Sequence, residues 1–198
     1  LLRRVISEDI TVDSILDPNL WAVRADPSQV EQILVDAWPD ALPQREADPV
    51  QRTTLLTINL QDFPPVQGLP APGPATVTYL FGYRSGTLMT INLNWYAEGE
   101  ATDEQRQALL DAGSAYVAQM LSYYWEPLQS ARGHVTGPNA LMMFAGRDTH
   151  GRGVEVQVEG VALDILLPDG STQHRPVRGG PAQLHIGLSA APDAPDVF

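Results

Sequence analysis

The sequence predicts an α+β fold in which helices pack on one face of an antiparallel β-sheet. Two segments carry apolar residues at helical spacing behind good N-caps, which is typical of surface helices. The segments after each of them alternate apolar and polar residues, as half-buried strands do. The order helix, strands, helix, strands therefore predicts two helix-plus-antiparallel-sheet units.

The predicted organisation has four parts. Residues 1–25 form an extended N-terminal lead, 26–96 the first helix and hairpin unit, 97–189 the second unit, and 190–198 a flexible tail. The two units share little sequence identity, so their pattern is similar without being a proven repeat. A single domain overall is left open.

The first helix is predicted from its two ends. Asp26 is a good N-cap, Pro27 suits the first helical position, and Gln29 stands where a capping box needs it. Proline lacks the N–H that a helix interior requires, so Pro39 ends the helix at about Trp38.

Strands follow this helix. Alternation over 56–60 predicts a half-buried strand, and the proline- and glycine-rich stretch 61–75 predicts a loop. The residues at 77–83 and 89–95 predict a hairpin around the turn at 84–86. On its second strand the apolar side chains face one way and Thr90, Asn92 and Asn94 the other.

The second helix is predicted to begin at Thr102, with Gln105 completing a capping box. Glu126 and Pro127 are expected to end it. Its apolar stripe comprises Leu109, Tyr116, Val117, Met120, Leu121 and Tyr124.

The remainder of the chain reads as strands. Residues 141–145 and 154–158 predict a hairpin around 147–153, and 161–188 predict one or two more strands with a Pro-Asp-Gly turn at 168–170.

Composition excludes several classes of function. The chain has twenty-four acidic residues and twelve basic ones, all of them arginine, so its formal charge is −12. Such a surface disfavours nucleic acid and anionic lipid. The absence of cysteine removes disulfides and thiolate chemistry. No apolar run approaches the ~20 residues of a membrane helix. The first residue is leucine, so we expect a processed or trimmed chain, and the removal of a signal peptide or an upstream domain is left open.

The N-terminal region resembles the start of a sensor histidine kinase ATP-binding domain over residues 2–35. The motif residues are Arg3, Arg4, Val5, Ile6, Glu8, Asp9 and Ile10, with LWAVRADPSQVEQIL at 20–34. The magnesium-binding asparagines of that family's N box would follow Val35 and are absent. The resemblance therefore implies a degenerate or regulatory fragment that does not turn over ATP.

A second resemblance covers residues 26–160. The sequences QVEQIL at 29–34, VTYLFGY at 77–83 with LMTINLNW at 88–95, and FAGRD at 144–148 leading into GRGV at 151–154 resemble uncharacterised bacterial envelope proteins. The resemblance implies an α+β fold and a periplasmic or outer-membrane-associated location, with a cytoplasmic location as the alternative. It implies no catalytic group.

Candidate chemistry is sparse. None of the four histidines pairs at i, i+4, and neither a zinc-protease motif nor a serine-hydrolase elbow occurs. The acids at 98, 100, 103 and 104 are best explained by a solvated helix start. We expect no catalytic residue, no metal and no cofactor, and an enzyme that acts through scattered acids and histidines is left open as a third class.

The candidate partner surface comes from aromatic residues and the 147–153 hairpin. Tyr83, Tyr123 and Trp125 are aromatics left over once a core between the second helix and the sheet is filled. Asp148 and His150 lie in the hairpin turn, whose glycines suit positive φ angles. The leading hypothesis is a non-catalytic module that binds a protein or small ligand. Its partner is unknown, and a homodimer is left open.

Overall fold

The computed structural model describes residues 26–97, 99–122, 125–127, 133–148, 151–177 and 179–189. The predicted lead at 1–25 and tail at 190–198 lie outside the described residues. Within them, helix α1 spans Pro27–Ala37 and helix α2 spans Asp103–Met120. The strands are β1 Gln44–Asp48, β2 Thr53–Leu60, β3 Ala75–Gly82, β4 Leu88–Ala97, β5 Trp125–Pro127, β6 His134–Gly137, β7 Ala140–Asp148, β8 Gly153–Glu159, β9 Leu163–Leu166, β10 Thr172–Arg175 and β11 Ala182–Ser189.

Most of the strands form one antiparallel sheet. Eight of its nine strands run in the order β1-β2-β3-β4-β11-β8-β7-β5, and the ninth, β6, pairs with β7. β9 and β10 form a separate hairpin. The α+β class is therefore confirmed, with the sheet predominating over the helices.

The strands of both predicted units lie in this one sheet because of β11. Strand β11 pairs antiparallel with β4 on one side and with β8 on the other. The segment that joins the two halves of the sheet thus comes after both of them in sequence.

The register defines two faces of the central sheet, since directly opposed residues point to the same side. One row runs Val77, Leu93, Ile186, Val156 across β3, β4, β11 and β8. We call its side the apolar face. The rows of the opposite side, the polar face, run Thr78, Asn92, Gly187, Glu155 and Thr76, Asn94, His185, Gln157.

Helix α2 contributes to the larger buried cluster. Leu109 and Tyr116 belong to the same cluster as Trp95, Leu184 and other buried residues of the sheet. Gly113 allows the close approach: a methyl group there would meet Met143 Sδ at 2.7 Å and Leu184 Cδ1 at 3.0 Å. The helix begins as predicted, because Thr102 and Gln105 exchange both bonds of a capping box.

Helix α1 contributes to a second cluster. Its Leu34 is buried with Leu56, Ile58 and Val77 of β2 and β3. The Asp26 carboxylate caps the helix by accepting a hydrogen bond from the backbone N–H of Ser28, and the helix ends at Ala37, before Pro39, as predicted.

Buried Arg106 ties three loops together at one end of the sheet. Its guanidinium donates to the carbonyl oxygens of Gly160, of Ala101 at 3.1 Å and of Gly180 at 2.8 Å. These carbonyls lie before α2, after β8 and before β11. One side chain of α2 thus donates to backbone carbonyls in three loops, and the Gly180 carbonyl also accepts from the Ala101 N–H at 3.0 Å.

Three expectations are corrected. Helix α2 ends at Met120, and Trp125–Pro127 is a strand. The Ser122 hydroxyl donates to the Gln119 carbonyl at 2.6 Å and competes with further helical bonds there, while Leu121 is 44% exposed and falls outside the apolar stripe. We also expected the aromatic residues to form one core between the second helix and the sheet. Tyr79 instead belongs to the cluster that contains Leu34 of α1.

The third correction concerns strands. Residues 161–188 lie within three strands and their connections, β9, β10 and β11, where one or two were expected. The turn at 168–170 is present, and strands β1, β5 and β6 were not expected.

Candidate functional site on the polar face of the sheet

The structure places the predicted partner-surface residues apart. Tyr83 is 45% exposed in the β3–β4 turn, where its N–H donates to the Arg52 carbonyl at 2.9 Å. Trp125 lies in β5 opposite Asp148 of β7. Tyr123, His150 and the side chain of Trp125 lie outside the described part. Only Trp125 and Asp148 are thus seen to be neighbours.

Asp148 closes its hairpin. Its carboxylate accepts from the backbone N–H of Arg152 at 2.9 Å and forms a salt bridge with the Arg152 guanidinium. The backbone N–H of Asp148 also donates to the Arg152 carbonyl at 2.9 Å. These bonds stabilise the turn, so the structure gives Asp148 a structural role in the β-hairpin.

The polar face contains side chains that hold one another in place. The Thr76 hydroxyl lies 2.7 Å from Asn59 Oδ1, to which it donates, and 2.9 Å from the Tyr96 hydroxyl. Tyr96 can therefore donate to Thr76, and a chain of three side chains crosses β2, β3 and β4.

A second group lies across β8 and β11. The Glu159 carboxylate accepts from Gln157 Nε2 at 2.7 Å and from Gln183 Nε2 at 3.0 Å. Gln183 is opposed to Glu159 on β8 and to Tyr96 on β4, so the two groups are adjacent on one surface.

His185 lies at the centre of this face. Its Nδ1 is 2.6 Å from Asn94 Oδ1. An amide oxygen only accepts, so Nδ1 carries the proton and Nε2 of the neutral ring keeps a lone pair. Burial lowers the pKa of His185, against the opposing effect of the negative charges of Glu155 and Glu159.

The His185 ring leans along its strand over Gly187. A methyl group on Gly187 would meet His185 Nε2 at 3.2 Å and Asn92 Oδ1 at 3.6 Å. Glu155 of β8 opposes Gly187 from the other side. Gly187 is therefore a point of close approach: the His185 ring packs against it, and a side chain at this position would press on that ring.

Sequence reasoning missed His185, which it treated only as one of four histidines without the spacing of a metal site. A signal was present, since Leu184, Ile186 and Leu188 alternate with Gln183, His185 and Gly187. That alternation places His185 on a polar strand face. The pairing that brings it to Asn94, 91 residues away, is not a local property of the sequence.

The described residues contain no group of three or more His, Cys, Asp or Glu side chains that could hold a metal ion.

Neither described helix is long and apolar enough to cross a membrane.

Comparison of the chain with protein-family models, with curated proteins and with solved structures finds no significant match.

Proposed function

We propose that this protein is a non-catalytic binding module of the bacterial envelope, and that it binds its partner through the polar face. The observation that carries the proposal is the set of hydrogen bonds among Thr76, Asn94, Glu159 and their neighbours. Side chains fixed before binding lose little further conformational freedom on binding, so more of the contact energy appears as affinity.

The two faces support this assignment. In the proposal both helices cover the apolar face, because the sheet residues buried with Leu34 and Leu109 share that side. The polar face is then the side of the sheet that is available for binding a partner. Its side chains are mainly hydroxyls and amides, which offer both donors and acceptors for recognition.

An envelope location rests on the resemblance over residues 26–160. Fractionation of cells that express the full-length gene product tests it. Recovery with periplasmic or outer-membrane markers is expected, and recovery with cytoplasmic markers alone would contradict this part of the proposal.

Binding through the polar face is tested with two amide-to-arginine variants. Asn92→Arg places a long cation in the middle of the polar face, and Gln51→Arg makes the same change in the exposed β1–β2 turn. Envelope proteins captured by the wild type are identified, purified and titrated by calorimetry. We expect Asn92→Arg to weaken the purified complex at least about tenfold and Gln51→Arg to leave it unchanged.

Equal affinity of the wild type and Asn92→Arg would show that the partner binds elsewhere. Circular dichroism melts of both variants serve as the fold control. A partner lost equally by both variants would also contradict the proposal, because the arginine itself would then be the cause.

The alternative function is a degenerate or regulatory relative of the histidine kinase ATP-binding domain. In that family an Asp-x-Gly-x-Gly loop contacts adenine; the nearest match here begins at Asp148, and the Asp148 carboxylate is held by Arg152. Calorimetric titration with Mg-ATP, beside ATP with EDTA, separates the two functions. Saturable binding that Asp148→Ala removes would favour the kinase relative, and we expect no binding.

A further inference from the structure

We propose that the loop between β2 and β3 is a preformed docking element that binds in an aromatic-lined groove of a partner protein. The loop comprises residues 61–74, and we call it the proline loop. This inference goes beyond the proposed function, because it concerns a segment outside the strands of the polar face and does not depend on what that face binds.

The first half of the proline loop is fixed to the core. The Phe63 carbonyl accepts a hydrogen bond from the Trp95 indole N–H at 2.6 Å, and the two rings stack at 6.0 Å. Trp38 meets the Phe63 ring edge-on at 5.8 Å. Val66 packs against the larger buried cluster, to which α2 contributes. The loop therefore begins on a support of packed aromatic rings.

The end of the proline loop is fixed as well. The Pro74 carbonyl accepts from the backbone N–H of Tyr96 at 3.2 Å. Gly73 lies so close to β4 that a methyl group on it would meet the Tyr96 carbonyl oxygen at 2.8 Å. Since both ends of the loop are held, binding a partner orders few further residues, and less affinity is lost to conformational entropy.

A tight turn brings the chain to the surface between these two supports. The Leu69 N–H donates to the Val66 carbonyl at 3.2 Å, and Gly68 has a φ of +89°. Positive φ at the third residue of a four-residue turn is typical of a type II turn, which favours glycine there. The turn leaves residues 67–70 exposed, and Leu69 keeps 38% of its surface accessible.

The residues after the turn favour an extended polyproline conformation. Prolines alternate with other residues in the sequence LPAPGP at 69–74. A proline fixes its own φ near −65°, and it restricts the residue before it to extended backbone. Every residue of this stretch is subject to one of these two restrictions. Aromatic-lined grooves bind such preformed polyproline II segments in proline-rich ligands.

The chemistry of the proline loop fits an apolar groove. No charged residue occurs from Phe63 to Tyr83, although the whole chain has a formal charge of −12. Charged residues are depleted at the centres of protein interfaces, and proline has no side-chain rotamer freedom to lose there. The exposed part of the loop therefore enters a groove without burying a charge.

The groove belongs to a different protein. Among the residues whose side chains the structure describes, Tyr83 is the only aromatic one that is exposed. A second copy of the described part therefore has no row of exposed aromatic rings with which to receive the loop.

The test replaces Leu69 by the photo-crosslinking residue p-benzoylphenylalanine in the full-length gene product. The matched control carries the same replacement at Leu166, which is 74% exposed at the end of β9. On irradiation of the producing cells, we expect position 69 to crosslink a partner that position 166 does not. Peptide mapping should place the crosslink on the partner beside Trp, Tyr or Phe side chains.

The crosslinked partner is then purified and titrated by calorimetry with the variants. Leu69→Ser should weaken the complex at least about tenfold, because it removes a leucine from the apolar contact, and Leu166→Ser should leave it unchanged. Pro72→Ala should weaken it about threefold, since the free loop regains conformational freedom. Circular dichroism melts serve as the fold control for all three variants.

The outcomes that overturn this inference are distinct. Absence of a crosslink specific to position 69, or a Leu69→Ser variant that binds like the wild type, would remove the docking role of the loop. A crosslinked surface without aromatic side chains would refute the groove chemistry. A crosslink between two copies of this chain, with a dimer that Leu69→Ser dissociates, would assign the loop to self-association.

Discussion

The two faces of the central sheet are built from alternate residues of the same strands and are stabilised differently. On the apolar face Trp95, Leu184 and Val156 are completely buried. On the polar face their neighbours Tyr96 and His185 keep partial exposure and are fixed by side-chain hydrogen bonds. Because successive residues of a strand point to opposite faces, one strand can use alternate residues to stabilise the core and the others to remain available for binding.

Among substitutions in the sheet, we expect the largest loss of stability at Trp95 on the apolar face. Its indole N–H donates to the Phe63 carbonyl at 2.6 Å, and the two rings stack at 6.0 Å. Trp95→Ala should lower the free energy of unfolding by about 3–5 kcal/mol. Urea denaturation followed by circular dichroism measures this value.

The adjacent aromatic residue is the control for this contrast. Tyr96→Ala removes a partly exposed ring from the polar face and should cost only about 1–2 kcal/mol. Similar losses in the two variants would mean that the two faces contribute equally to stability.

The next largest loss of stability is expected at Arg106, because this buried side chain of α2 bonds backbone carbonyls of three loops. Arg106→Met keeps the length of the side chain but removes its hydrogen bonds to the carbonyls of Gly160, Ala101 and Gly180, of which Gly180 keeps the bond from the Ala101 N–H. We expect a loss of about 2–4 kcal/mol in the free energy of unfolding. Arg175→Met in strand β10 is the matched control and should change stability by less than about 0.5 kcal/mol. An equally small effect at Arg106 would rule out its role in holding the loops.

A smaller effect on stability is expected at the centre of the polar face. Asn94→Ala removes the acceptor of the His185 Nδ1–H and should cost under about 1 kcal/mol, because water can replace it. Nitrogen NMR of the imidazole should show the proton redistributed between Nδ1 and Nε2. An unchanged tautomer would show that Asn94 does not orient the ring.

The smallest expected effect is a dependence of protein stability on pH that comes from His185. Its folded-state pKa lies below the ordinary 6.5, so the unfolded chain takes up the proton first as the pH falls. Stability should therefore be complete above pH 6.5 and decline below it, until the folded state is protonated too. His185→Gln should remove this decline, measured as the urea midpoint against pH.

The carboxylates with lowered pKa values provide the control for this pH range. Glu104 and Asp169 accept hydrogen bonds in the folded protein, so the stability that they add is lost only as the pH falls toward and below their ordinary pKa values of 4.5 and 3.8. That decline should persist in His185→Gln. A decline between pH 6.5 and 5 that also persists would assign it to another group.

Local signals predicted much of the fold. The caps at Asp26 and Thr102 and the hairpins around 84–86 and 147–153 are fixed by neighbouring residues, and the structure confirms them. Strand β1 was missed because its residues Gln44–Asp48 are almost all exposed and show no alternation. The three residues of β5 are too few to carry a pattern.

The candidate site was less accessible to sequence reasoning. Asn92 and Asn94 were assigned to the polar side of β4, and the register confirms that they lie on one side. Their partners on β11 come from a strand about 90 residues later, and the order of strands in the sheet decides that pairing. The placement of Gly187 between Asn92 and Glu155 depends on the same pairing, so no local motif could reveal it.

The central place of β11 has a consequence for synthesis. Among the described strands it is the last to be made, yet it lies between β4 and β8. Until it is made, both neighbours remain sheet edges with unpaired backbone groups, which are prone to associate with other chains. Closing the sheet also joins segments far apart in sequence, which slows folding. A ribosome must therefore translate past Ser189 before the centre of the sheet can form, and until then chaperones would have two strand edges to shield.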